Sequence, residues 1–182
     1  MTDVTILAIK GVGPQIASSA FVAPGCRILG DVSLGEDASI WYNSVIRGDM
    51  SRIRIGARST VQDSCMIHCD RAKGDLPDYP TLIGEDCMIG HMSLLHGCTL
   101  NDRAIAGMGT IMFNGATIES DGMLAAGGML TSGKTIKTGE LWAGRPAKYL
   151  RDLTTKEVAA NRAAAAFYVE NCRRHRAAPN AS

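Results

Sequence analysis

The sequence predicts a mainly β protein: a parallel β-helix of hexapeptide repeats, closed by a C-terminal α-helix. Three observations carry that reading. An apolar residue recurs every six positions over most of the chain, a small residue often falls four positions after it, and amphipathic helical spacing begins only after residue 150. A six-residue period is too short for a helical hairpin and suits one short strand plus one corner, so three repeats make a triangular coil. Successive coils then stack as parallel strands roughly 4.8 Å apart.

The elements follow in chain order. Ile28, Leu34, Ile40 and Ile46 lead the first repeats, then Ile55, Val61 and Ile67, then Ile83, Ile89 and Leu95. From Leu100 the period is unbroken through Ala106, Met112, Ile118, Leu124, Leu130, Ile136 and Trp142. The small partners are Ala38, Ser44, Ser59, Cys65, Cys87, Ser93 and Ala104. Gly, Asn and Asp are expected at corners, where positive φ is needed. The phase breaks three times. Ile55 follows Ile46 by nine positions, Ile83 follows Ile67 by sixteen, and Leu100 follows Leu95 by only five. The second break predicts that CDRAKGDLPDYPT (69–81) projects from a corner. Beyond Trp142, Thr154 and Glu157 can form a capping box ahead of an alanine-rich helix. Val158, Phe167 and Val169 are expected to face the prism, and Arg173, Arg174 and Arg176 to suit the negative end of the helix dipole. The chain is thus expected to divide into a β-helix over 1–150, a helix over 151–176 that packs on it, and a frayed tail over 177–182.

Composition narrows the function. Nineteen Lys and Arg against eighteen Asp and Glu give a net charge of +1, which argues against a general nucleic-acid surface. No basic segment followed by an apolar stretch opens the chain, and no apolar run reaches membrane-spanning length. A cytoplasmic protein without a membrane or nucleic-acid partner is expected. Without a secretory signal, the six cysteines are expected to be reduced thiols, Cys65 and Cys87 packing as small apolar residues.

The repeat gives the histidines positions. His68 and His96 each follow the leader of the same face, one coil apart, so their side chains should stack and reach one ion. His91 follows Ile89 by two, on a different face, and a rigid prism cannot bring it to that pair. It could complete the site of a neighbour, and a closed ring of three would use every such histidine once. Three imidazoles leave a zinc-like ion one open position for chemistry. The rival reading, polar decoration or an interface hydrogen-bond network, is outweighed by the stacking and the complementary third residue.

WYNSVIRGDM (41–50), VQDSCMIH (61–68), IGHMSLLHGC (89–98) and LWAGRPAKYLRDLT (141–154) resemble the gamma-class carbonic anhydrases, over roughly residues 10–175. The resemblance implies a left-handed parallel β-helix, a homotrimer, and a Zn²⁺ site (or Fe²⁺ or Co²⁺) between subunits, with His68 and His96 from one subunit and His91 from the next. It implies charged interface contacts from Arg47, Asp49 and Asp63, Gln62 as the hydrogen-bond partner of a metal-bound hydroxide, and Tyr168 approaching the metal. The implied activity is reversible hydration of CO₂ to bicarbonate, a lyase reaction, with Asp70, Asp75 or Asp78 relaying the proton. Two positions depart from the family pattern. Thr60 stands where the family has asparagine, and the loop after His68 carries no glutamate, which bears on turnover more than on metal binding. Alternatives are a hexapeptide-repeat acyltransferase, an acyl-CoA thioesterase, or a non-catalytic trimer stapled by metal.

Overall fold

The computed structural model describes residues 3–177 and shows a parallel β-solenoid with one C-terminal helix. Each coil has three faces, and the leaders of each face stack in register. On the first face the pairs run Ile28–Ile46–Ile67–Leu95–Met112–Leu130. On the second they run Leu34–Ile55–Ile83–Leu100–Ile118–Ile136. On the third they run Ile40–Val61–Ile89–Ala106–Leu124–Trp142. From Ile28 to Ile136 these leaders are at most 3% exposed, so the core is a continuous aliphatic column. Trp142, at the open end, is only partly buried.

The small residues are buried for a second reason besides space. The Ser44 hydroxyl donates to Gln62 O at 2.8 Å and accepts from Cys65 N at 3.0 Å, and Ser59 bonds Gly84 O and Cys87 N in the same way. Serine at this position therefore ties one coil to the next, which alanine cannot do. Corners are less restricted than expected: besides Asn43, Asp37, Asp86 and Asp121, the left-handed conformation is taken by Arg58, Ser64, Met92 and Arg103.

The phase breaks have distinct outcomes. The three residues added between Ile46 and Ile55 stay in one strand, Val45–Ile55, and shift its register against Arg27–Leu34 between Gly30 and Val32. The long insertion folds back on itself, with antiparallel bridges Asp70–Tyr79 and Lys73–Leu76. The shortened corner after Leu95 is turned by Gly97 at φ +57°. Strands Thr5–Leu7, Gln15–Ile16 and Phe21–Val22 pair with the Ile28 coil and precede the first repeat visible in the sequence.

The expected boundary at residue 150 differs in detail. The strand Ala147–Asp152 doubles back antiparallel to Glu140–Gly144, and the helix occupies Thr155–Ala177. Thr154 and Glu157 form the capping box, with Glu157 N to Thr154 Oγ1 at 3.2 Å and Thr154 N to Glu157 Oε2 at 2.8 Å. Phe167 does not face the prism as expected, because it is 53% exposed. The packed stripe is Val158, Asn161, Ala165, Tyr168 and Cys172, at helical spacing. Arg162 reaches Asp121 from the helix at 3.0 Å, and Arg176 donates to the carbonyls of Ser19 and Ala20. Residues 178–182 of the expected tail lie outside the described residues.

Candidate metal site

His68 and His96 are directly paired partners on adjacent strands of the first face, Met66–His68 and Leu94–His96. Their ring centroids are 5.0 Å apart, and His68 Nδ1 lies 3.0 Å from His96 Nε2. Each ring is oriented by an oxygen on its other nitrogen. His68 Nε2 is 2.9 Å from Asp49 Oδ1, and His96 Nδ1 is 2.6 Å from Asn114 Oδ1. Both oxygens accept, so in the neutral rings those nitrogens carry the protons and the facing nitrogens carry lone pairs. Two nitrogens facing at 3.0 Å are satisfied either by a ring proton shared between them or by a metal ion bound to both. Two nitrogens on one tetrahedral zinc are about 3.3 Å apart, so the donor set fits a zinc-class ion.

Burial alone would raise the Asp49 carboxyl, but hydrogen bonds from His68 and from Arg47, at 2.6 Å, outweigh it and hold the group below its ordinary value. Asp49 is therefore an anion that orients His68, as carboxylates commonly do behind a ligating imidazole. Within one protomer, Arg47, Asp49 and His68 form one chain of contacts.

His91 lies at the corner that follows the third-face strand Met88–Ile89. Its Nδ1 is 2.7 Å from Asp63 Oδ2, and its backbone N–H donates to Gln62 Oε1 at 3.1 Å. The Asp63 contact puts the proton on Nδ1 and leaves the Nε2 lone pair for a ligand. Gln62 is buried at 5% exposure, and its Oε1 is the atom engaged here, which leaves the Nε2 hydrogens for another acceptor. Among the described residues no three His, Cys, Asp or Glu side chains of one protomer form a metal-binding group. The chain offers a stacked pair on one face and an oriented single histidine on another.

The remaining expected residues separate. Asp70 accepts from Asn114 Nδ2 at 3.3 Å and so connects to His96. Asp78 is held by Ser51 and Arg52 instead, and Asp75 sits at the exposed tip of the insertion. Tyr168 packs edge-on against Trp41 at 5.6 Å, and burial, with the Asp63 charge adding, pushes its hydroxyl upward in pKa. The Thr60 hydroxyl is engaged away from the histidines, where it accepts from the Trp41 indole at 2.9 Å. Sequence reasoning missed Asn114, whose signal is its place one coil beyond His96, and His175, which bonds Tyr42 Oη at 2.9 Å and packs edge-on against Trp41 with ring centroids 4.9 Å apart.

The fold is a hexapeptide-repeat solenoid that presents a stacked histidine pair on one face and a single oriented histidine on another. No protein-family model matches the chain. It is 37% identical to a carbonic anhydrase of Geobacillus kaustophilus, covering 84% of this chain and 81% of that protein. It is 38% identical to mitochondrial gamma carbonic anhydrase 1 of Arabidopsis thaliana over 85% of this chain, and it spans 56% of that protein, a little over half its length. Among solved structures, a hexapeptide transferase family protein of Anaplasma phagocytophilum matches with a TM-score of 0.88 and 42% identity, over 95% of this chain and 98% of that one. A putative acetyltransferase of Bacillus cereus matches with a TM-score of 0.90 and 39% identity, over 95% and 97%. The chain belongs to the gamma carbonic anhydrase family.

Proposed function

We propose that the protein is a metal-dependent carbonic anhydrase that interconverts CO₂ and bicarbonate at sites shared between the subunits of a homotrimer. The observation that carries this is the stacked imidazole pair, His68 Nδ1 facing His96 Nε2 at 3.0 Å with an acceptor behind each ring, beside a His91 that does not reach the pair in its own protomer. A Zn²⁺, Fe²⁺ or Co²⁺ ion held by these three histidines supplies a water acidified to a pKa of about 7, the nucleophile that CO₂ hydration needs. Gln62 donates from Nε2 to orient the reacting oxygen, and Asp75 or Asp78 on the 69–81 insertion takes the proton toward solvent. Arg47, Asp49 and Asp63 fix the neighbouring subunit's angle, and Tyr168 borders the His91 side. Exposed apolar residues support burial of both half-sites against neighbours: Met66 and Leu94 precede the stacked histidines, and Met92 follows His91. Six buried free thiols suit a reducing compartment such as the cytoplasm.

The transferase descriptions of the two structural neighbours favour a second reading, acyl transfer on the same scaffold, of which acyl-CoA thioester hydrolysis would be the variant with water as acceptor. Metal analysis of aerobically and anaerobically purified protein, with parallel CO₂-hydration and thioesterase assays, separates them. His91→Ala should lose metal and CO₂ hydration together. Hydration retained without metal would overturn the proposal, and thioesterase activity alone would establish the second reading.

A further inference from the structure

We propose that Asn114 and Asp70 act as a polarity lock on His96: Asp70 fixes which way the Asn114 amide points, and the amide fixes which nitrogen of His96 is free to bind a ligand. This rests on the reading of His96 as a metal ligand. Asn114 sits on the coil above His96, with Oδ1 2.6 Å from His96 Nδ1 and Nδ2 3.3 Å from Asp70 Oδ2. An amide presents an acceptor at one end and donors at the other, and an ionised carboxylate can only accept. With Asp70 in place, the donor end must face the carboxylate, so the oxygen faces His96. His96 then carries its proton on Nδ1 and keeps the Nε2 lone pair toward His68. A reversed amide would offer a hydrogen to Nδ1, move the ring proton to Nε2, and remove the lone pair from the site.

The backbone around the lock is built for it. Gly97 follows His96, and a Cβ there would collide with Asn114 Oδ1 and fall 2.7 Å from Tyr79 Cβ, so glycine leaves room for the amide to reach His96 and for Tyr79 beside it. Asp70 and Tyr79 exchange both backbone hydrogen bonds at 3.0 and 2.9 Å at the base of the 69–81 insertion. Thr81 ends that insertion by donating to His68 O and accepting from Gly97 N, beside the two histidines in the chain. The insertion is therefore stitched to the coil corners beside both rings, and it carries the carboxylate that sets the lock. In this role Asn114 and Asp70 are positioning residues, which act on the ligand nitrogen through His96.

The test is a swap of polarity. Asp70→Asn allows the amide to reverse, and Asn114→Ala removes it; each should weaken zinc binding, measured by chelator competition, roughly ten- to hundredfold. The double variant D70N/N114D restores an acceptor toward His96 and a donor behind it, and should recover most of that loss. Singles that bind zinc like the parent protein, or a double variant weaker than either single, would overturn the lock. A ¹⁵N spectrum of the histidine rings in metal-free protein gives a readout separate from the metal. The His96 proton should sit on Nδ1 in the parent and leave it in D70N, and an unchanged tautomer would overturn the proposal. If the parent binds no zinc, the metal reading fails and the tautomer still decides the lock.

Discussion

At the scale of single residues, Gly97 and Gly74 offer a controlled comparison. Both hold left-handed backbone, at φ +57° and +58°, where a side chain costs about 1–2 kcal/mol. A Cβ at Gly74 meets nothing within 4 Å, whereas one at Gly97 meets Asn114 and Tyr79. Gly74→Ala should therefore lower the melting temperature slightly and leave zinc affinity unchanged. Gly97→Ala should lower both, because the amide is pushed off His96. Equal zinc affinities in the two variants would show that the space at Gly97 does not govern the Asn114 contact with His96. The two stacked histidines were legible because they sit in phase with buried leaders. Asn114 was not, because its meaning lies in a contact across coils that the six-residue count does not register.

At the scale of elements, the C-terminal helix is held by polar contacts as much as by burial. Hydrogen bonds from Arg151 and from Thr154 pull the Glu157 carboxyl down to about 2 from its ordinary 4.5. The folded value is below the unfolded one, so the stability this group adds is fully present above about pH 4.5. It is lost as pH falls toward 2. Protection of the Val158 amide, bonded to Thr154 O at 3.0 Å, should fall across that window and be flat in Glu157→Gln. An identical fall in both proteins would place the effect elsewhere. The capping box was legible because its spacing is local. The inward face was misread at Phe167 because an alanine-rich helix gives a weak apolar stripe, and its docking is decided by Tyr168, Cys172 and the Arg162–Asp121 ion pair. The strand Ala147–Asp152 went unseen because a chain that doubles back leaves the repeat's phase.

At the scale of the whole molecule, the prism is legible from the leaders alone, while its first coil is not: ten positions separate Ile6 from Ile16, and Ile6 stays exposed at the open end. The proposed ring makes a prediction that a protomer-contained site does not. His91→Ala and the double variant H68A/H96A should each be inactive alone. Coexpressed, every mixed ring has one subunit junction with an intact pair on one side and an intact His91 on the other. Zinc and CO₂ hydration should return in the mixture. Mixed rings, separated by charge tags, that remain inert would exclude a shared site.

The pairing of His68 with His96 by backbone register has a wider consequence. Their separation is set by the strand repeat, roughly 4.8 Å, and owes little to the side chains around them. Every coil of the first face offers the same rung: Phe113 continues the row above His96, and Arg47 extends it below His68. The scaffold thus behaves as a graduated rail, along which a two-ligand module could be moved by whole coils without redesigning its spacing. What would not travel is the 69–81 insertion, which grows from a single corner and gives this one rung its surroundings.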